Sequence, residues 1–268
     1  NTTTTAIAAY SSSSYGGGLR FGFPIGEKES VGLGLGVDST TITTYTNSPQ
    51  YYVDYVKNFG ATNLSIPLTL SWASDGKDSY FFPTKGTFQK ASLEVALPGG
   101  DLTYYRASYQ LQHFVPLTSR FTLMLNGEVG YAEGYGDSGL PFFKNFYAGG
   151  IGSVRGYKAS SLGPLSIDTS TGTIYRLGGN SRVIGNAELL WGIPGMEKSF
   201  RMGWFFDAGQ VYGNDAAQSS SSGLRYSTGL SASWISPIGP LKFSFGRPLN
   251  KQADDKSESF QFQMGTTF

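Results

Sequence analysis

Apolar and polar residues alternate along most of this chain. In SVGLGLGV, Val31, Leu33, Leu35 and Val37 share one face, while Gly32, Gly34 and Gly36 take the other. NLSIPLTLSW sets Leu64, Ile66, Leu68, Leu70 and Trp72 against Ser65, Pro67, Thr69 and Ser71. RFTLMLNGEVGY sets Phe121, Leu123, Leu125, Val129 and Tyr131 against Thr122, Met124, Asn126, Glu128 and Gly130. A period of two marks a strand with one apolar face. The same pattern covers Leu19–Phe23, Leu93–Leu97, Tyr105–Val115, Val183–Ile193, Met202–Tyr212, Leu224–Trp234, Leu241–Phe245 and the closing SFQFQMGTTF. Eleven strands are predicted, and the threonine-rich start supplies part of a twelfth. The prediction is all-β and antiparallel, with residues 1–268 forming a single domain.

The connections alternate in length. Tight links fall at Pro24–Glu29, Pro116–Arg120, Pro194–Ser199 and Ser236–Pro240, and longer polar segments at Thr41–Ala61, Ala132–Asn180, Gly213–Gly223 and Pro248–Ser257. Counting strands places Ser74–Gly86 on the short side and Pro98–Asp101 on the long side. Such asymmetry belongs to outer-membrane barrels, which have short turns at one rim and long loops at the other.

Composition decides between a soluble sandwich and a membrane barrel. Charged residues are 15% of the chain, below the roughly 25% of soluble proteins. The polar face of each strand carries Gly, Ser, Thr, Asn and Gln more than Lys or Glu. Trp72, Trp191, Trp204 and Trp234 all fall in strands, which suits an interfacial aromatic girdle. Apolar runs stay well short of the ~18 residues of a membrane helix, so a spanning structure must be a barrel, where every backbone group is paired. The net charge of +1 excludes an electrostatic case for nucleic acid. The chain has no cysteine and one histidine, His113, on the apolar-facing parity beside a tight turn. No serine near it has a nucleophile's context, so a phospholipase site on the barrel exterior is rejected. No metal or other cofactor is expected, because neither zinc-type nor calcium-loop spacing is present. The acid pair Asp254–Asp255 reads as solvated loop surface. Pro67 within a strand marks a bulge or a local edge, because proline cannot donate to a ladder.

Two stretches carry more specific information. The closing FQFQMGTTF places Phe260, Phe262, Met264 and Phe268 on one face, with Gly265 as a weak or kinked point. An alternating strand ending on an aromatic residue resembles the β-signal of bacterial outer-membrane proteins. The other stretch is NFYAGGIGSVRGYKASSLGP, in which Arg155 stands alone among glycines. It resembles the sixth extracellular loop of the BamA family of outer-membrane assembly factors, whose Val-Arg-Gly-Phe/Tyr hallmark is matched by Val154, Arg155, Gly156 and Tyr157. YFFPTKG resembles the family's Phe-Pro-Thr-x-Gly turn. NAELL, FFDAGQVY, SWISPIGPLKFSF and the last strand resemble its C-terminal strands in order.

The resemblance implies a bacterial outer-membrane barrel that folds and inserts other barrels without enzymatic catalysis. It does so by templating strands at a lateral seam. The family's barrel has sixteen strands and follows POTRA domains, so this chain reads as a fragment, a partial chain or an engineered shortening that starts near the fifth or sixth strand. The implied partners are unfolded outer-membrane clients, the lipid bilayer and, through domains outside this chain, assembly lipoproteins. Parity places Glu188 and Asp207 on the polar faces of their strands, pointing into the barrel. The resemblance implies that the long loop folds into the lumen and that Arg155 meets both acids as a latch. Alternatives from this reading are a two-partner-secretion transporter of the same superfamily and a passive porin.

Overall fold

Where the sequence alternates, the backbone is extended and paired. In a computed structural model of the chain, residues 2–7, 10–46, 48–136, 139–167, 173–197, 199–213 and 223–265 are described. The first strands are β1 (Thr2–Ile7), β2 (Tyr10–Pro24), β3 (Glu29–Thr44), β4 (Thr62–Ser65), β5 (Pro67–Asp75), β6 (Gly86–Ala96), β7 (Tyr104–Pro116) and β8 (Phe121–Gly134). After them come β9 (Leu165–Ile167), β10 (Ile174–Arg176), β11 (Ser181–Gly192), β12 (Phe200–Tyr212), β13 (Arg225–Ser236), β14 (Gly239–Pro248) and β15 (Phe260–Met264). Twelve of these follow one antiparallel path, β1-β2-β3-β5-β6-β7-β8-β11-β12-β13-β14-β15, with β4 also paired to β3. The short β9 and β10 pair with each other inside the long loop. The fold is an antiparallel transmembrane β-barrel, with β1 and β15 at the two ends of the strand order.

The molecule is apolar outside and polar inside. Leu19, Phe21, Leu35, Trp204, Leu230, Phe245 and Phe260 are exposed, whereas Gln210, Ser227, Ser231, Ser244 and Gln261 are buried. A soluble protein with this distribution would aggregate; in a bilayer the exposed face meets acyl chains.

Three local readings change. The segment Leu64–Trp72 is two strands, broken at Ile66. Leu35 pairs with Leu68 and Asp38 with Ser65, so the register is the same on both sides of the break. Pro67 therefore opens a strand and interrupts a ladder, and no extra residue is bulged. Proline supplies the reason, as it lacks the N–H and restricts the residue before it. The polar loop Thr41–Ala61 contains a helix, α1 (Gln50–Phe59). Tyr52, Tyr55, Val56 and Phe59 recur at helical spacing, and Tyr52 and Tyr55 are buried against Tyr10, Phe142 and Leu177. Finally, Asp255 is buried and not solvated: Arg225 Nε donates to its Oδ2 at 2.5 Å and Arg176 lies 3.5 Å from its Oδ1.

Candidate functional site

The site lies where the long loop crosses the lumenal faces of β11 and β12. Register places Asn186 directly opposite Asp207, and Glu188 opposite Phe205. All four side chains share the inward face, because alternate residues on a strand point the same way. Two carboxylates thus stand diagonally from each other before any loop residue is considered.

Arg155 meets both. Its Nε donates to Asp207 Oδ2 at 2.8 Å and its NH2 to Asp207 Oδ1 at 2.8 Å, while NH1 donates to Glu188 Oε2 at 2.8 Å. The Arg155 backbone N–H also donates to Asp207 Oδ2, at 3.0 Å. This uses the planar fork of the guanidinium, which lysine cannot reproduce. The side chains of Arg155 and Glu188 are 3% and 4% exposed and that of Asp207 is fully buried, so the cluster is withdrawn from solvent. The guanidinium also lies 3.6 Å from the centre of the Phe205 ring, a cation–π contact in a dehydrated setting.

Surrounding polar groups complete the cluster. Asn186 Nδ2 donates to Asp207 Oδ1 at 2.8 Å and to the Ser153 carbonyl at 2.7 Å. Asn126 supports Asn186, and Gln110 supports Asn126, each at 2.9 Å. Ser231 hydrogen-bonds Glu188 Oε1. A cavity of about 220 Å³ adjoins the arginine, lined by Gln112, Asn126, Glu188, Lys242 and Gln263 among others.

The rest of the Val154–Tyr157 motif explains how the loop lies down. Val154 packs in an apolar cluster with Ala148, Leu162, Ile184 and Val211. The Tyr157 ring is buried, and its hydroxyl lies 3.4 Å from the Tyr226 carbonyl and from Asn250 Oδ1. Gly156 has φ +82°, and a Cβ there would stand 2.9 Å from the Gly246 carbonyl carbon. Gly246 in turn leaves no room for a Cβ, with Gly156 N at 2.7 Å. Two glycines face to face let the loop rest directly on β14.

The expected seam residues lie elsewhere. Phe260, Phe262 and Met264 are exposed on the outer face of β15, away from the Arg155 cluster. Gly265 follows β15 with φ +70°, and its N–H donates to the Pro240 carbonyl at 2.9 Å. Phe268 is outside the described residues. His113 stands on the exposed face, 2.8 Å from Thr87 Oγ1.

Sequence reading gave no role to Phe205, Asn186 or Ser231. For Phe205 a signal existed: an aromatic residue on the polar parity of β12, between Gly203 and Asp207, breaks the pattern. It overlooked Arg201 as well, which donates to the Pro83 and Phe82 carbonyls at 2.7 and 3.0 Å. That contact brings the Phe82–Thr84 turn against the inner face of β12.

Comparison with known proteins agrees with this architecture. The Omp85 superfamily domain matches residues 1–268. The outer membrane protein assembly factor BamA of Neisseria meningitidis is 38% identical over 98% of this chain. The chain spans 37% of that relative's length. The crystal structure of BamA from Haemophilus ducreyi lacking POTRA domains 1–3 superposes with a TM-score of 0.88, at 27% identity, over 100% of this chain and 57% of that one. CdiB from Escherichia coli shares the fold at a TM-score of 0.61 and 15% identity, over 94% of this chain and 44% of that one. With inverted strand faces, a glycine-bedded arginine inside the barrel and a match running along its whole length, the chain belongs to the Omp85 superfamily.

Proposed function

We propose that this chain is the membrane-embedded part of a bacterial outer-membrane assembly factor, which folds and inserts other β-barrel proteins. The observation that carries the proposal is its 38% identity, across 98% of its length, to a relative named as such a factor. The clients are unfolded outer-membrane proteins, and the bilayer is the medium into which they are delivered. Assembly lipoproteins would attach through segments outside this chain.

The mechanism needs neither a cofactor nor a covalent step. A strand at the end of a sheet carries unpaired N–H and C=O groups, which an incoming extended segment can satisfy by β-augmentation. β15 is such a strand, and among the described residues five of its positions pair with β14. The Arg155–Glu188–Asp207 cluster acts as a latch that keeps the long loop inside the lumen while the seam opens and closes. A passive porin would have an open channel at this level; here Val154, Arg155 and Tyr157 are buried in it. That favours the assembly reading.

The test is client folding in liposomes, followed by protease protection of an unfolded barrel protein. The parent chain is expected to accelerate folding over empty liposomes, and the Arg155→Ala variant to lose most of that acceleration. A parent no faster than empty liposomes would refute an autonomous folding activity for this chain.

A further inference from the structure

The latch residue is one position away from a second set of contacts, and these reach the terminal strand. The Glu258 N–H donates to the Gly156 carbonyl at 2.9 Å, and the Lys158 N–H to the Lys256 carbonyl at 2.9 Å. Together they form an antiparallel bridge between Tyr157 and Ser257. Gln261, on the inward face of β15, donates through Nε2 to the Tyr157 carbonyl at 2.6 Å. Ser161 Oγ adds a bond to the Lys256 carbonyl at 3.2 Å. The strand register between β14 and β15 begins at Phe245–Phe260, the Gly246 N–H adds a bond to the Ser259 carbonyl at 2.8 Å, and the chain bends at Ser259.

We propose that the loop segment Gly156–Ser161 is a removable partner for the extracellular end of the terminal strand, with Gln261 as the positioning residue that joins the two. While Arg155 is latched, the Lys256 carbonyl and the Glu258 N–H are spent on the loop and are closed to an incoming strand. The edge offered to a client then begins at Phe260. Withdrawing the loop frees the Lys256 carbonyl and the Glu258 N–H and lengthens the template at its outer end. The geometry requires this exclusivity, because a backbone N–H has one hydrogen to donate. The inference rests on the assembly function for its consequence, but the coupling itself is a property of the fold.

Two experiments test it. The first is amide hydrogen exchange on the parent and on Gln261→Leu, which removes the donor and keeps the side chain's bulk. Exchange at Lys158 and Glu258 is expected to rise at least tenfold, with Phe205–Gly209 on β12 unchanged because Arg155 stays bound. Parental exchange at both amides would overturn the coupling. Gln261→Asn, which shortens the reach by one methylene, serves if the leucine variant does not fold. The second is a lock, K158C/K256C, in a chain that has no other cysteine. Oxidised, it is expected to slow client folding at least tenfold, with recovery on reduction. Parental folding by the oxidised form would overturn the need for release. The exchange experiment uses no client, so it decides the coupling even where the chain proves inactive in assembly.

Discussion

Arg155 is held by four hydrogen bonds to two carboxylates and by an aromatic face. Deleting one partner of a buried ion pair typically costs about 3–5 kcal/mol, because the remaining charges are left uncompensated. Arg155→Ala is therefore expected to lower the thermal unfolding midpoint and to open the Gly149–Pro164 segment to protease. Arg155→Lys should rescue little, since an ammonium group cannot reproduce the fork; limited proteolysis of the two variants side by side checks this. Phe205→Leu keeps an apolar side chain but removes the ring. It is expected to cost about 2 kcal/mol, the scale of a desolvated cation–π contact, read as a lower unfolding midpoint with the loop still protected.

At the scale of elements, β12 joins two loops from opposite rims. Its inward face presents Arg201 to the Phe82–Thr84 turn, then Phe205 and Asp207 to the long loop. The turn is closed by Asp78, which accepts from Thr84 N at 2.8 Å, Thr84 Oγ1 at 2.6 Å and Lys85 N at 3.2 Å. Partial burial pushes the Asp78 carboxyl up, but the Thr84 and Lys85 bonds outweigh it and hold it below the usual carboxylate range. Its contribution is accordingly full above about pH 4 and is lost as pH falls through the lowered value. Protease cleavage within residues 76–85 should rise below that pH in the parent and lose this dependence in Asp78→Asn. Arg201→Ala should loosen the same turn at neutral pH without freeing the long loop, which hydrogen exchange would separate.

Across the whole molecule, the long loop reaches β2, next to one end of the strand order, and the chain leading into β15 at the other. Near its start, Phe142 stacks on Tyr52 of α1 at 4.3 Å between ring centres and meets Tyr10 of β2 edge-on at 4.9 Å. Near its middle it holds the chain leading into β15. Phe142→Ala should remove the fully buried centre of the outer cluster at a cost of about 3–5 kcal/mol. Hydrogen exchange is expected to rise in α1 and in the outer half of β2, with Arg155 and its partners still protected. Faster exchange confined to α1 would mean that the loop does not tie β2 to the helix.

Alternation made the strands, the inverted faces and the rims legible from sequence alone. A strand's side-chain parity is a local consequence of its pleat, so Glu188 and Asp207 could be placed inside the lumen without coordinates. The Val154–Tyr157 run could be singled out as well, because it is contiguous in sequence. The helix Gln50–Phe59 was not read, since its apolar stripe is made mostly of tyrosines in a polar segment. Asp255 was taken as surface because nothing near it in sequence announces Arg225 or Arg176 as partners. Which carboxylates share one guanidinium, that Phe205 lies beneath it, and that Gln261 reaches the loop 104 residues away depend on strand register and on how the loop is laid across the sheet. Pattern along a chain specifies which way a residue faces; only the folded sheet decides what it faces.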